Sequence, residues 1–255
     1  MNPLIAVAHG TRSAAGQAQI RALVDAVAMC RPELDVRLAY VDVQHPRIGE
    51  VLPLRAQSGG VLPLRAQSGG VLPLRAQSGG VLPIRAQSGD MLPIRAQSKG
   101  AAPVIVPLLL STGHHVRVDI AESAGDCVVT PPLGPDPLLT EILAGSAGRD
   151  HDALVLAAAG SSDPGWLAEI AGVAADLNAH VAYASRDETK DVVAGLREQG
   201  AERITVAAYL LAEGLFYRSL HRAGADHVTP PLCHDPRVAG LVARRYDLTT
   251  ALAPM

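Results

Sequence analysis

Apolar residues fall into short dense runs separated by longer stretches in which they recur every three or four positions. LIAVA at residues 4–8 is a run of the first kind, bounded by turn-forming residues, and predicts a buried strand. Between Ser13 and Cys30 the apolar residues Ile20, Leu23, Val24 and Val27 fall at i, i+3, i+4 and i+7, which predicts a helix. Pro32 lies just past its end. DVRLAYVDV, Asp35 to Val43, predicts a second strand ending at Asp42, and a second helix is expected from about Pro46 and Arg47. Further on come a strand at Pro103–Leu110, a helix from about Val116 to Ala124, a short strand at Asp126–Thr130 and a helix from about Asp136 to Ala147. The same order then returns. ALVLAAAGSS, Ala153 to Ser162, mirrors LIAVAHGTR. Strands are expected at His180–Ser185 and Ile204–Leu211, and helices at about Pro164–Leu177 and Glu188–Gln199. A further helix leads to HVTPPL, the counterpart of VVTPPL earlier, and HDPRVAGLVARRY is the last helix. Two βα series of this kind imply parallel sheets with helices on both faces. The expected fold is α/β, two lobes of four parallel strands each, related by internal duplication: residues 1–148 and 149–255.

Residues 51–100 interrupt this order. VLPLRAQSGG occurs three times and is followed by VLPIRAQSGD and MLPIRAQSKG. A tandem repeat can signal a solenoid. Here each copy carries a proline, which a helix interior or central strand does not accept, and glycine, which resists ordering. Aligning the halves explains the array. VLPLRAQS at 51–58 matches VAGLREQG at 193–200, an offset of 142, whereas IRAQS at 94–98 matches LREQG at 196–200, an offset of 102. The difference, 142 − 102 = 40, is four copies of ten. One copy is the ordinary end of the second helix, and four are extra, expected to loop out at the surface, where closure entropy rises slowly with length.

Composition narrows the classes. The chain has 255 residues, 48% of them apolar but only 3% aromatic, as helices packed on parallel strands allow. A net charge of −3 gives no basic field for nucleic acid or an anionic membrane. The repeats add arginines without interleaved aromatics, so they do not favour nucleic acid either. Cys30, Cys127 and Cys233 are odd in number and far apart, which argues against a disulfide framework or zinc spacing and for buried, reduced thiols. No apolar run reaches the ~20 residues of a membrane helix, and no signal peptide precedes the first strand. A cytoplasmic location is expected.

The chemistry concentrates at two strand ends. AHGTR, residues 8–12, follows strand one and presents His9. LLLSTGHHVRVDI, residues 108–120, follows strand three, ends at Ser111, Thr112 and Gly113, and presents His114 and His115. Parallel strands would bring both to the carboxyl edge of one sheet, where open α/β sheets bind ligands. Imidazoles facing one crevice can hold a divalent metal or move protons near neutral pH. The duplicate lacks them: Ala159 stands for His9, and Leu215-Phe216 for His114-His115. The scaffold therefore does not need these histidines, and one active site on the amino-terminal half is expected. Single strand-end histidines are commonly structural, and His45, His151, His180, His221, His227 and His234 are read as exposed or structural.

These motifs resemble the small class II chelatases of the sirohydrochlorin type. The resemblance rests on His9 of AHGTR, on a carboxylate near the end of strand two (Asp42), on Gly113-His114-His115 followed by Asp119-Ile120, and on the VTPPL turns. It implies an enzyme that inserts a divalent metal into sirohydrochlorin, a partly reduced tetrapyrrole, for sirohaem or cobalamin. The metal, Fe2+ first and Co2+ close behind, would be a substrate, with no permanently bound cofactor. His9 and His115 would handle metal and protons. Arg12, Asp42, Ser111, Thr112, Gly113 and Arg117 would contact the substrate, the arginines because a guanidinium matches a carboxylate. Asp42 could instead be a solvated strand end and Arg117 an exposed helix residue. A carrier that binds tetrapyrrole or metal without catalysis is the rival from another class. Monomer and homodimer both stay open.

Overall fold

The computed structural model of the protein describes residues 2–52, 102–111, 120–125 and 127–252. The decapeptide array beyond Leu52 lies outside the described residues. The amino-terminal half contains β1 (Leu4–Ala8), α1 (Ala14–Cys30), β2 (Val36–Tyr40), a single helical turn α2 (Ile48–Val51), β3 (Val104–Pro107), β4 (Val128–Val129) and α3 (Pro137–Ala147). Residues 120–124 are also helical. The carboxy-terminal half contains β5 (Ala153–Ala158), α4 (Pro164–Leu177), β6 (His180–Tyr183), α5 (Glu188–Glu198), β7 (Ile204–Tyr209), α6 (Leu215–Leu220), β8 (His227–Val228) and α7 (Arg237–Leu252). The strands form two four-stranded sheets of order β2-β1-β3-β4 and β6-β5-β7-β8, parallel throughout. The α/β expectation and the internal duplication hold.

Local chemistry sets the helix starts. Ser13 caps α1 by accepting from the Gly16 N–H, Asp163 caps α4 by accepting from the Trp166 N–H, and Asp136 caps α3 by accepting from the Leu138 N–H. Each such cap satisfies an otherwise orphaned donor. Proline at the first position of α3 and of α4 adds a preset φ. The strands are shorter than their apolar runs. β2 stops at Tyr40 because the next two amides leave the alternating ladder: Val41 N–H donates to Ala8 O and Asp42 N–H to His9 O, both at 2.9 Å. Val43 then turns the chain with φ +66°, a costly conformation for a β-branched residue.

Every central strand is buried on both faces, which is why the sequence shows runs rather than alternation. Alternate residues look two ways. Leu4, Ala6, Ala8, Val104 and Val106 share one core with Leu154, Leu156, Ala207 and Tyr209 of the other sheet. Ile5, Val7 and Ile105 face outward to Ile48 and Ile120, while Val155, Ala157, Val206 and Ala208 face Val193, Leu196 and Leu220. Each fully buried side chain of this size is worth about 1.5–3 kcal/mol.

The last helix of each half crosses to the other. α3 packs against β7 and α4, and α7 packs against α1 and β3. Asp136 at the start of α3 is buried and accepts from Arg244 (2.7 Å) and Arg245 (3.0 Å) of α7. Arg31 donates to both carboxylate oxygens of Asp247, and the Tyr246 hydroxyl donates to Asn2 O. The thiols differ from expectation in one respect: Cys30 is exposed at the end of α1, while Cys127 and Cys233 are half-buried. Burial pushes the Cys233 thiol up to about 11, with a smaller contribution from the charge of Glu213. Among the described residues no helix is long and apolar enough to cross a membrane.

Candidate active site

The carboxyl ends of β1, β3, β5 and β7 meet at one cleft. His9 follows β1 directly and its side chain is exposed. Gly10 makes the turn beyond it with φ +101°, and a Cβ there would overlap the Asp42 carbonyl oxygen. Only glycine lets the two strand ends come this close. The turn is then tied down on several sides. Thr11 N–H donates to Gln44 Oε1 (2.9 Å), Gln17 Nε2 donates to Thr11 O (2.8 Å), and Ser13 N–H donates to Thr11 Oγ1 (3.1 Å). Arg12 stands exposed between these anchors and forms no ion pair with any described residue. The duplicate keeps the device without the histidine. Gly160 has φ +105°, and Asp163 N–H donates to Ser161 Oγ.

Asp42 lies beside His9. Its carboxylate is held below the usual range first by the Val43 N–H and then by a hydrogen bond from Arg47 at 3.1 Å, with a smaller contribution from charge on His9. Arg47 also donates to Val41 O, so the 41–47 loop is braced against β2. His45 pairs with Glu50 on the surface, as an exposed turn predicts. Ser111 is half-buried and lines the cleft. Thr112, Gly113, His114, His115 and Arg117 lie outside the described residues. Among the described residues no three His, Cys, Asp or Glu side chains converge to hold a metal.

The cleft consists of two adjoining cavities of about 430 and 310 Å3 that share His9, Leu108, Leu210, Leu211 and Phe216. The first is lined by Leu108–Ser111 from one half and by Ala159, Trp166, Tyr209 and Phe216 from the other. The second reaches Gln44, Glu213 and Tyr217. The walls are joined across the halves. The Tyr209 hydroxyl donates to Leu110 O at 2.8 Å, and burial, aided by the charges of Glu169 and Asp136, pushes this phenol up. Gln19 of α1 bonds Glu213 twice, through its amide nitrogen to Oε1 (2.8 Å) and its oxygen to the backbone N–H (2.7 Å). Trp166 packs on Tyr183 with ring centroids 5.7 Å apart. Among the described residues the cleft is thus a mostly apolar slot with the His9 imidazole at its edge, suited to a flat hydrophobic ligand.

Sequence reasoning found His9, Ser111 and Asp42 at this edge. It missed Trp166, Tyr209 and Phe216, which the duplicated half contributes. A signal was present. The chain has seven aromatic residues, one Trp, five Tyr and one Phe, and Tyr40, Trp166, Tyr209, Phe216 and Tyr217 line this cleft.

Comparison with known proteins agrees. No curated protein matches the chain in sequence. Solved structures do match its fold. SirB from Bacillus subtilis with Fe3+ superposes with a TM-score of 0.66 at 18% identity, over 98% of this chain and 96% of that one. The sirohydrochlorin chelatase SirB from Bacillus subtilis subspecies spizizenii in complex with cobalt gives 0.62 at 18% identity, over the same shares. CbiX, the terminal enzyme for biosynthesis of siroheme in denitrifying bacteria, gives 0.58 at 18% identity, over 99% of this chain and all of that one. The CbiX family model matches residues 3–64, 94–149 and 153–249, and its break falls inside the decapeptide array. With both halves covered, the chain belongs to the CbiX family.

Proposed function

We propose that the protein is a sirohydrochlorin chelatase, a lyase-type enzyme that inserts a divalent metal into the tetrapyrrole. One observation carries this reading: the exposed imidazole of His9 stands at the rim of an apolar cleft at the carboxyl edges of both sheets. Membership of the CbiX family supports it. The reaction brings a metal ion to the macrocycle and removes two pyrrole protons. A neutral imidazole suits Fe2+ and Co2+ and can accept a proton as the metal leaves it. In this reading His9 and His115 share that work, and Asp42, beside His9, orients it or assists the metal. Arg12 and Arg117 pair with substrate carboxylates, and Ser111, Thr112 and Gly113 line the ring edge. Residues 1–148 carry the reactive groups, and residues 149–255 supply the opposite wall.

Iron is the first choice of metal. Cobalt is the second reading, and a SirB structure in complex with cobalt favours keeping it. The test is anaerobic absorbance of sirohydrochlorin with each metal. Wild type is expected to accelerate metalation, and His9→Ala to lose about 100-fold in rate, the size of a general acid–base contribution. Saturable binding by the wild type without acceleration would replace the enzyme with a carrier.

A further inference from the structure

The second half has lost the histidines of the first, yet it supplies most of the aromatic surface of the cleft. The register fixes the equivalence. Val7 pairs with Pro107 and Ala157 with Ala208, so β3 and β7 correspond at an offset of 101 (208 − 107), which sets Leu215 and Phe216 opposite His114 and His115 in the duplication. Neither residue has retreated into the core. Leu215 is 69% exposed and Phe216, the only phenylalanine in the chain, is 37% exposed. The other aromatics of the cleft, Trp166, Tyr209, Tyr40 and Tyr217, are buried. Phe216 is therefore the aromatic side chain with surface to give to a ligand, and it lines both cavities together with His9.

An exposed aromatic has a hydration cost that a flat conjugated partner removes, and stacking adds to the area term. A tetrapyrrole macrocycle is such a partner. It also presents two faces, and only one of them needs to meet the metal. We infer that Phe216 is the seat of the macrocycle: it takes one face of the ring, while the His9 edge of the cleft is left to the metal and the pyrrole protons. This inference rests on the chelatase reading and extends it to a substrate-binding residue in the half that carries no histidine pair. It gives the duplication a division of labour, with hydrocarbon replacing imidazole at the equivalent positions of the sequence.

Trp166 is the sole tryptophan and lines the larger cavity, so its emission reports ligand binding directly. Sirohydrochlorin is titrated anaerobically into wild type, Phe216→Ala, Phe216→Leu and Phe216→Tyr, and insertion of Fe2+ and of Co2+ is then followed for each. Phe216→Ala is expected to raise Kd and KM about tenfold, the scale of losing one ring-stacking partner. Its kcat at saturation should stay within about threefold, because His9 is untouched. Phe216→Tyr is expected to keep wild-type affinity and Phe216→Leu to fall between. Unchanged far-UV circular dichroism marks the variants as folded, and the leucine and tyrosine variants decide the matter should the alanine variant not fold. Wild-type binding and turnover with unaltered Kd in the folded variants would overturn the seat and leave the chelatase reading standing. Quenching with no metalation by the wild type would overturn the chelatase reading, and the binding constants would still decide the seat. Absence of both quenching and metalation would overturn the two together.

Discussion

Gly10 and Gly160 occupy equivalent turns with φ near +100°, yet their neighbours differ. A Cβ at Gly10 would meet the Asp42 carbonyl, part of the backbone that holds the 41–44 loop. A Cβ at Gly160 would meet the Ser185 Oγ, a side-chain atom that can rotate away. Gly10→Ala is therefore expected to cost about 2–4 kcal/mol, strain and overpacking together. Gly160→Ala should cost about 1–2 kcal/mol, the left-handed backbone alone. Urea denaturation measures both; equal costs would show that the Asp42 contact relaxes freely. At this scale His9 was legible, because a histidine at a strand end that its duplicate lacks stands out in the letters. Phe216 was not. In the sequence it reads as the loss of a histidine, and its exposure at the cleft, which gives it a use, depends on how the second half packs.

The boundaries of α4 were read correctly because each end carries its own local signal: the Asp163 cap, Pro164 at the first turn, and Asn178 in the left-handed conformation at the end. Strand ends carry no such mark, since pairing partners decide them, and so β2 and β3 were drawn too long. Two elements carry expected outcomes. Asp136 caps α3 and accepts from Arg244 and Arg245 of α7. Asp136→Asn keeps an oxygen for the cap but removes the charge, leaving the half-exposed Arg244 and the more buried Arg245 without it. A loss of about 2 kcal/mol is expected, below the range for a fully buried pair. No change in the urea midpoint would mean that the arginines find water instead. At the start of β7, Asp152 accepts from the Glu202 and Arg203 N–H groups and Asp226 from the Ile204 N–H. These backbone N–H groups are the leading reason that both carboxyls sit below the usual range. Their stabilisation is complete above the unfolded carboxyl pKa of about 4 and is lost as pH falls through the lower folded value. Asp152→Asn with Asp226→Asn should flatten the acid limb of the stability curve and leave the neutral limb parallel to wild type.

For the whole molecule, the arithmetic of the repeat can be checked against strand register. Tyr40 pairs with Ala8 and Tyr183 with Ala158, so β2 and β6 correspond at an offset of 143 (183 − 40), against 101 at β3 and β7. Between β2 and β3 the first half is longer by 143 − 101 = 42 residues, the four extra decapeptides plus two. The family match breaks between residues 64 and 94. Deleting 40 residues in phase with the repeat is expected to leave melting temperature and kcat/KM within error of the full chain. A loss of activity would give the array a role. The exchange of α3 and α7 was not legible at all: each helix follows its own half in sequence, and its partner sheet is chosen by three-dimensional packing. That exchange has a kinetic consequence. Among the described residues the two walls share a core, trade helices and are bolted by Asp136 and Tyr209. The slot keeps its width before a ligand arrives, so its ordering entropy is spent during folding rather than at encounter. Stopped-flow quenching of Trp166 is expected to show one phase whose rate rises linearly with tetrapyrrole concentration, with no plateau from a closing step.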